Sequence, residues 1–134
     1  MVNAVIDTNV IISGVLTAGA CRDILSALRR NEFSCAVSPL MMDETVKVLH
    51  RDKFKLLILE EDRDETIELL EQYLSIPVAH SVSVCRDADD NHILSCALGF
   101  ESDVIISGDK DLLCLNPFRG IPIVTPAEFV KKFL

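Results

Sequence analysis

The sequence predicts an α/β fold on a mainly parallel sheet, and three features carry that reading. Apolar, β-branched runs alternate with segments of helical periodicity along the chain, the order that strand–helix–strand units produce. Two of the runs, at 2–6 and 104–106, are apolar at nearly every position rather than at every second one, as strands buried on both faces are. Both stop at acid: Asp7 ends the first, and Ser107-Gly108-Asp109-Lys110-Asp111 follows the second. Open α/β sheets place their ligand sites at the carboxyl ends of strands.

The elements follow in order. After the first strand, Thr8 or Asn9 can cap a helix that runs to Leu16, and Gly19 marks the next turn. Cys21 to Arg30 sets Ile24, Leu25 and Leu28 at helical spacing, with Arg22, Arg29 and Arg30 elsewhere on its surface. Phe33 to Val37 reads as a second strand. Ser38-Pro39, a capping residue before a proline at the first helical position, then opens a helix to His50. Arg51 to Leu59 begins basic and ends in the apolar run Leu56 to Leu59. Asp62 or Asp64 begins a helix with Ile67, Leu70 and Leu74 on its core face and an acidic outer face, ended by Pro77. Val78 to Val84 is expected to add a short strand or two. Asp87 caps a helix to Leu98 that Gly99 terminates, and the second deeply buried strand follows. Beyond it come a turn, Asp111 to Leu115, a strand at Ile121 to Val124 and a helix from Pro126 to Phe133. With no repeat, linker or low-complexity stretch, residues 1–134 read as one domain.

Composition narrows the class. A chain of 134 residues can bury roughly two thirds of its unfolded surface in one core, and 49% hydrophobic content excludes disorder. No apolar run approaches the roughly 20 residues of a membrane span. No basic region precedes an apolar stretch at the N-terminus, as a signal peptide requires. A soluble, cytoplasmic protein without a membrane partner is expected. The five cysteines are odd in number and widely spaced, with no C-x-x-C, so free buried thiols in a reducing compartment explain them better than disulfides or zinc. The formal net charge of −8 weighs against a nucleic-acid partner, whose phosphates are bound mainly by Lys and Arg.

Periodicity identifies acids that are not simply solvated. Asp90 shares helical spacing with Ile93, Leu94 and Ala97, so it lies on the stripe facing the core. An isolated buried carboxylate costs several kcal/mol, and this placement asks for a partner. Glu44 repeats the pattern beside Leu40, Met41 and Val48. Structural roles exist for each acid alone. Asp90 sits in a first helical turn where the dipole favours acids, Asp109 can make a turn, Asp7 can cap a helix, and Glu44 can reach water from the stripe's edge. Together, two acids at strand ends and two on helices facing those ends can converge on one pocket. Hard oxygen ligands select Mg²⁺ or Mn²⁺. Such clusters commonly hold one or two ions, which activate water and stabilise the leaving oxygen of a phosphodiester, making nucleic acid the natural substrate class.

Rival chemistries find less support. His50 ends a helix, His80 lies in a loop, and His92 points off the Asp90 face. Ser13 and Ser107 have no histidine at a diagnostic spacing, and there is no glycine-rich phosphate loop.

The stretches Val5-Ile6-Asp7-Thr8-Asn9, Ser38-Pro39-Leu40-Met41-Met42-Asp43-Glu44, Asp87-Ala88-Asp89-Asp90-Asn91-His92-Ile93-Leu94 with Ala97, and Ile105-Ile106-Ser107-Gly108-Asp109-Lys110-Asp111 resemble, in order, the motifs of the PIN domain. The resemblance covers essentially the whole chain and is greatest to PIN proteins grouped as toxins of bacterial and archaeal toxin–antitoxin pairs. It implies a PIN-like three-layer α/β/α fold and a ribonuclease that cuts single-stranded RNA internally with Mg²⁺ or Mn²⁺. It also implies Asp7, Glu44, Asp90 and Asp109 as catalytic, metal-binding acids, Asp111 as an extra ligand, and Asn9 and Ser107 as polar supports. The family commonly has Thr where this chain has Ser107, and the hydroxyl is retained. Asp87 and Asp89 compete with Asp90 for the third position, and helical phase favours Asp90. A homodimer and a cognate antitoxin are the implied partners.

Two bound divalent ions would halve the net charge, and Arg22, Lys47, Arg51 and Lys110 are candidates for phosphate contacts, with Arg29, Arg30, Lys53 and Lys55 behind them. Two other functions are weighed. A phosphatase of the haloacid-dehalogenase type needs a second Asp two residues after Asp7, where this chain has Asn9. A non-catalytic PIN-like module binding RNA or protein would be marked by loss of one of the four acids, and all are present.

Overall fold

The first apolar run forms β1 (Asn3–Ile6), buried from Ala4 onward, and Asp7 immediately caps α1 (Thr8–Leu16). The computed structural model describes residues 1–134. There follow α2 (Ala20–Arg29), β2 (Ser34–Cys35), α3 (Pro39–Leu49), α4 (Glu60–Glu71), α5 (Ala88–Gly99), β3 (Val104–Ile106), α6 (Lys110–Leu113), β4 (Ile123–Val124) and α7 (Pro126–Phe133). The strands make a four-stranded sheet in the order β2-β1-β3-β4, and every pairing is parallel. Helices pack around it as a three-layer α/β/α fold, as expected.

Strand order places the site. From β1 the chain crosses first to β2 on one side and later to β3 on the other, so the ends of β1 and β3 lie together at a topological switch point. Ile6 pairs with Ile106, and the Asp7 N–H donates to the Ile106 carbonyl at 2.9 Å. The residues after these strands, Asp7 and Ser107, therefore stand side by side.

Several expectations need correction. The cap of α1 is Asp7, whose Oδ1 accepts from the Asn9 N–H, rather than Thr8 or Asn9. Helix α4 starts earlier and stops sooner than the acid and proline signals suggest, and it buries Thr66, Leu69 and Leu70. Leu74 lies beyond the helix and is largely exposed, because the chain there turns extended and bridges to Val37 beside β2. Within Arg51 to Leu59, a short 3₁₀ turn (Asp52–Phe54) buries Phe54 and Ile58 against Ile12 and Leu49, leaving Leu56, Leu57 and Leu59 exposed.

Val78 to Val84 forms no strand. Its β-branched residues find no strand edge to pair with, and Val78 and Val84 stay exposed. The segment is anchored instead by Asn91, whose amide accepts from the Val84 and Cys85 N–H groups and donates to the Cys85 carbonyl. The cysteines are all free, but only Cys35 and Cys96 are buried, and Cys114 is exposed. No single helix is long and apolar enough to cross a membrane.

Gly99 does not terminate α5 by a left-handed turn; it closes the helix, and Glu101 takes the positive φ of 53°. Its role is close approach, since a Cβ there would collide with the Val78 carbonyl oxygen and lie 2.8 Å from the Pro77 Cβ. Gly99→Ala should therefore cost about 1–3 kcal/mol by overpacking against backbone. A urea midpoint unchanged from wild type would show that the 77–84 segment yields freely.

Candidate metal centre

Two of the acids also cap the helix that follows them, Asp7 at the start of α1 and Asp109 at the start of α6. Asp7 leaves β1 with 6% of its surface exposed, one carboxylate oxygen accepting from the Asn9 N–H at 3.3 Å. The other accepts from the hydroxyl of fully buried Ser107 at 2.8 Å. That hydroxyl oxygen accepts in turn from the Asp109 N–H at 3.0 Å, so a single side chain ties the end of β1 to the loop after β3. Asp109 caps α6 by accepting from the Asp111 N–H at 2.9 Å.

Facing them, Asp90 in the first turn of α5 is 7% exposed, on the same stripe as Ile93, Leu94 and Ala97. Carboxylate oxygens of Asp90, Asp109 and Asp111 lie within 4.8 Å of one another. Asp87 and Asp89 are exposed, and Asp87 is spent capping α5 by accepting from the Asp89 N–H at 2.9 Å.

The electrostatics record this crowding. Burial pushes the Asp90 carboxyl up to about 6, and the negative charges of Asp109, Asp87 and Asp7 add to it. Asp7 is also raised, by burial first and by Asp109 and Asp87, against the opposing hydrogen bonds from Ser107 and Asn9. Glu44 is half-buried on α3 and raised by burial, then by Asp89, Asp7 and Asp87. Glu44 thus reaches the rim of the cluster next to Asp89 and is not part of the tight group of three. The only cation paired with any of these acids is Arg86, whose guanidinium is 3.8 Å from Asp111 and almost fully exposed.

Crowded like charges, two of them buried and with exposed Arg86 the one cation paired to the group, presented entirely as carboxylate oxygens, fit a hard divalent cation.

The other residues singled out by sequence are placed as follows. Asn9 is exposed beside Asp7, and its side-chain amide has no hydrogen-bond partner in the protein. Arg22 is committed elsewhere, donating to the Gly14 and Val15 carbonyls at the far end of α1. Lys47 and Arg51 are exposed on and after α3, and Lys110 is exposed next to Asp109. His92 turns away from the acids and meets Ser38 at 2.9 Å and Cys96 at 3.3 Å, linking α5 to the cap of α3. One neighbour escaped the sequence reading: the half-buried thiol of Cys85, raised by burial and then by Asp90 and Asp111. Nothing in its local pattern signals this, because Asn91 brings the segment there through backbone bonds.

Beside Asp109 opens a recess of about 300 Å³ that reaches α1, α2 and the start of α7. A family model described as PIN domain matches residues 3–111 of the chain. A comparison with curated proteins gave no match.

Proposed function

The chain belongs to the PIN-domain family, whose members are in general metal-dependent nucleases, and from that premise we propose that it hydrolyses phosphodiester bonds of single-stranded RNA using Mg²⁺ or Mn²⁺. One observation supports this most: carboxylates of Asp90, Asp109 and Asp111 within 4.8 Å of one another, at the switch point where Asp7 is tied to Asp109 through Ser107.

Bound there, one or two divalent cations supply charge stabilisation at the phosphate and a nucleophile from water near neutral pH. Asp7, Asp90, Asp109 and Asp111 would hold the metal, with Glu44 as a further carboxylate from the rim. Ser107 orients Asp7 by donating to Oδ2 and keeps its oxygen toward the Asp109 N–H, so both acids are preset before substrate arrives. Exposed Lys110, Lys47 and Arg51 are the basic side chains proposed to meet flanking phosphates; Arg22, tied to carbonyls, is the poorest placed for that role.

Hydrolysis of this kind does not need a 2′-hydroxyl, so the choice of RNA rests on the family resemblance. The same resemblance supports a toxin role, with a homodimer and a cognate antitoxin as partners. Free cysteines suit a reducing cytoplasm.

The test is cleavage of end-labelled single-stranded RNA and matched DNA in Mg²⁺, in Mn²⁺ and in excess chelator, with Asp7→Asn alongside. Cutting of RNA that needs metal and vanishes in the variant is expected. Folded wild-type protein that binds no Mn²⁺ and cuts neither polymer would instead indicate a binding module.

A further inference from the structure

The recess beside Asp109 differs in chemistry from the metal centre it adjoins. Asn9 and Ser13, one turn apart on α1, give it two polar side chains on a single helix face. Val10, Cys21 and Pro126 make its apolar walls, and Gly108 leaves its edge open, since a Cβ there would meet nothing within 4 Å. Asp109 is its only charged residue. It offers a phosphate no Lys or Arg, and its one charged group, Asp109, belongs to the metal centre. Apolar walls with a free amide and a hydroxyl suit an uncharged heterocycle that offers donors and acceptors along its edge. The volume of about 300 Å³ lies at the lower end for small-molecule clefts.

A second recess, between α1, α2 and α4, has the opposite character. Arg22 and Arg29 line it, but Arg22 is bonded to backbone carbonyls and Asp62 contributes an opposing charge. It lies at the end of α1 away from Asp7.

We propose that the recess formed by Asn9, Ser13, Cys21, Gly108 and Pro126 holds the nucleoside adjoining the scissile phosphate. This rests on the nuclease reading for its consequence in catalysis, though not for binding itself. With the phosphate drawn to the carboxylate-held metal, the neighbouring base and sugar enter this adjoining recess, which no basic residue lines. Ser13 and Asn9 then set which base is preferred, and cleavage is sequence-selective at one flanking position.

The experiment has two arms. In the first, adenosine, cytidine, guanosine and uridine are titrated to millimolar concentration into isotope-labelled wild-type protein with Mg²⁺. Saturating amide shifts at Asn9, Ser13 and Gly108 are expected for at least one nucleoside. In the second, RNAs differing at single positions are cut by wild type, Ser13→Leu and Cys21→Phe. Filling the cavity should lower kcat/KM about tenfold, mainly through KM, and flatten the base preference while Mn²⁺ affinity stays at the wild-type value. Absence of shifts at those amides with all four nucleosides overturns the recess, as does wild-type cleavage whose base preference both variants retain. Saturating shifts in a protein that cuts nothing leave the recess standing and remove the nuclease reading instead.

Discussion

Asp90→Asn should abolish metal-dependent cleavage, by about a thousandfold or more, and yet make the chelated protein more stable. The loss follows from removing a ligand to a metal that contributes several kcal/mol of charge stabilisation. The gain follows from the carboxyl's titration. Its pKa of about 6 in the folded protein lies above the ordinary 3.8, because burial and the acids Asp109, Asp87 and Asp7 disfavour the charged form. The folded state therefore binds more protons than the unfolded chain between those two values. Stability that is present in full at low pH is lost as pH rises through about 6. Asn is neutral throughout and keeps that stability, on the order of 2 kcal/mol at pH 8, with the difference narrowing by pH 5.

Mn²⁺ should invert the ranking, since ligand bound only by the folded wild type adds stability by mass action. Protons compete with metal for the same carboxylates, so Mn²⁺ affinity should fall as pH drops below about 6. The check is a urea midpoint in chelator and in Mn²⁺ at both pH values. A variant less stable than wild type in chelator at pH 8 would mean that Asp90 is held by a favourable partner and is not strained by its neighbours.

How far sequence could foresee this arrangement depends on the residue. Asp90 is legible because a charged residue on an apolar stripe is a local contradiction, and the structure shows it buried. Asp7 is legible from the strand that ends at it. Glu44 shows the same contradiction only in part, since of Leu40, Met41 and Val48 on its stripe Met41 is buried, Val48 is half-buried and Leu40 is 56% exposed. Helix α3 also buries Met42 and Thr45, and the Thr45 hydroxyl is satisfied by the Met41 carbonyl at 2.9 Å. The same device operates in α4, where buried Thr66 donates to the Asp62 carbonyl at 2.8 Å. A threonine that bonds back one turn counts as apolar in a core, while composition scores it polar. The Ser107 bridge needed the register of β1 against β3, which no single stretch contains. The 78–84 segment needed to be seen without a partner strand before its β-branched residues could be discounted.

Phe129→Ala should bring the largest loss of stability, about 3–5 kcal/mol, although it lies outside the matched family segment 3–111. Phe129 is fully buried, its ring edge-on to Phe33 at 4.9 Å and stacked with Phe133 at 5.0 Å. It fixes α7, which is started by a Thr125–Glu128 capping box directly after β4. Strand β4 completes the sheet against β3, and the Val124 carbonyl accepts from the Ser107 N–H at 3.0 Å. The chain beyond the matched segment thus holds the backbone of the residue that links Asp7 to Asp109, and Pro126 at the start of α7 walls the adjoining recess. Loosening α7 should lower Mn²⁺ affinity as well as the urea midpoint, whereas Phe129→Leu, which retains most of the buried area, should keep most of both. A loss below about 1 kcal/mol for Phe129→Ala would show that α7 is appended to the fold, and a stability loss without any change in Mn²⁺ affinity would show that β4 holds Ser107 unaided.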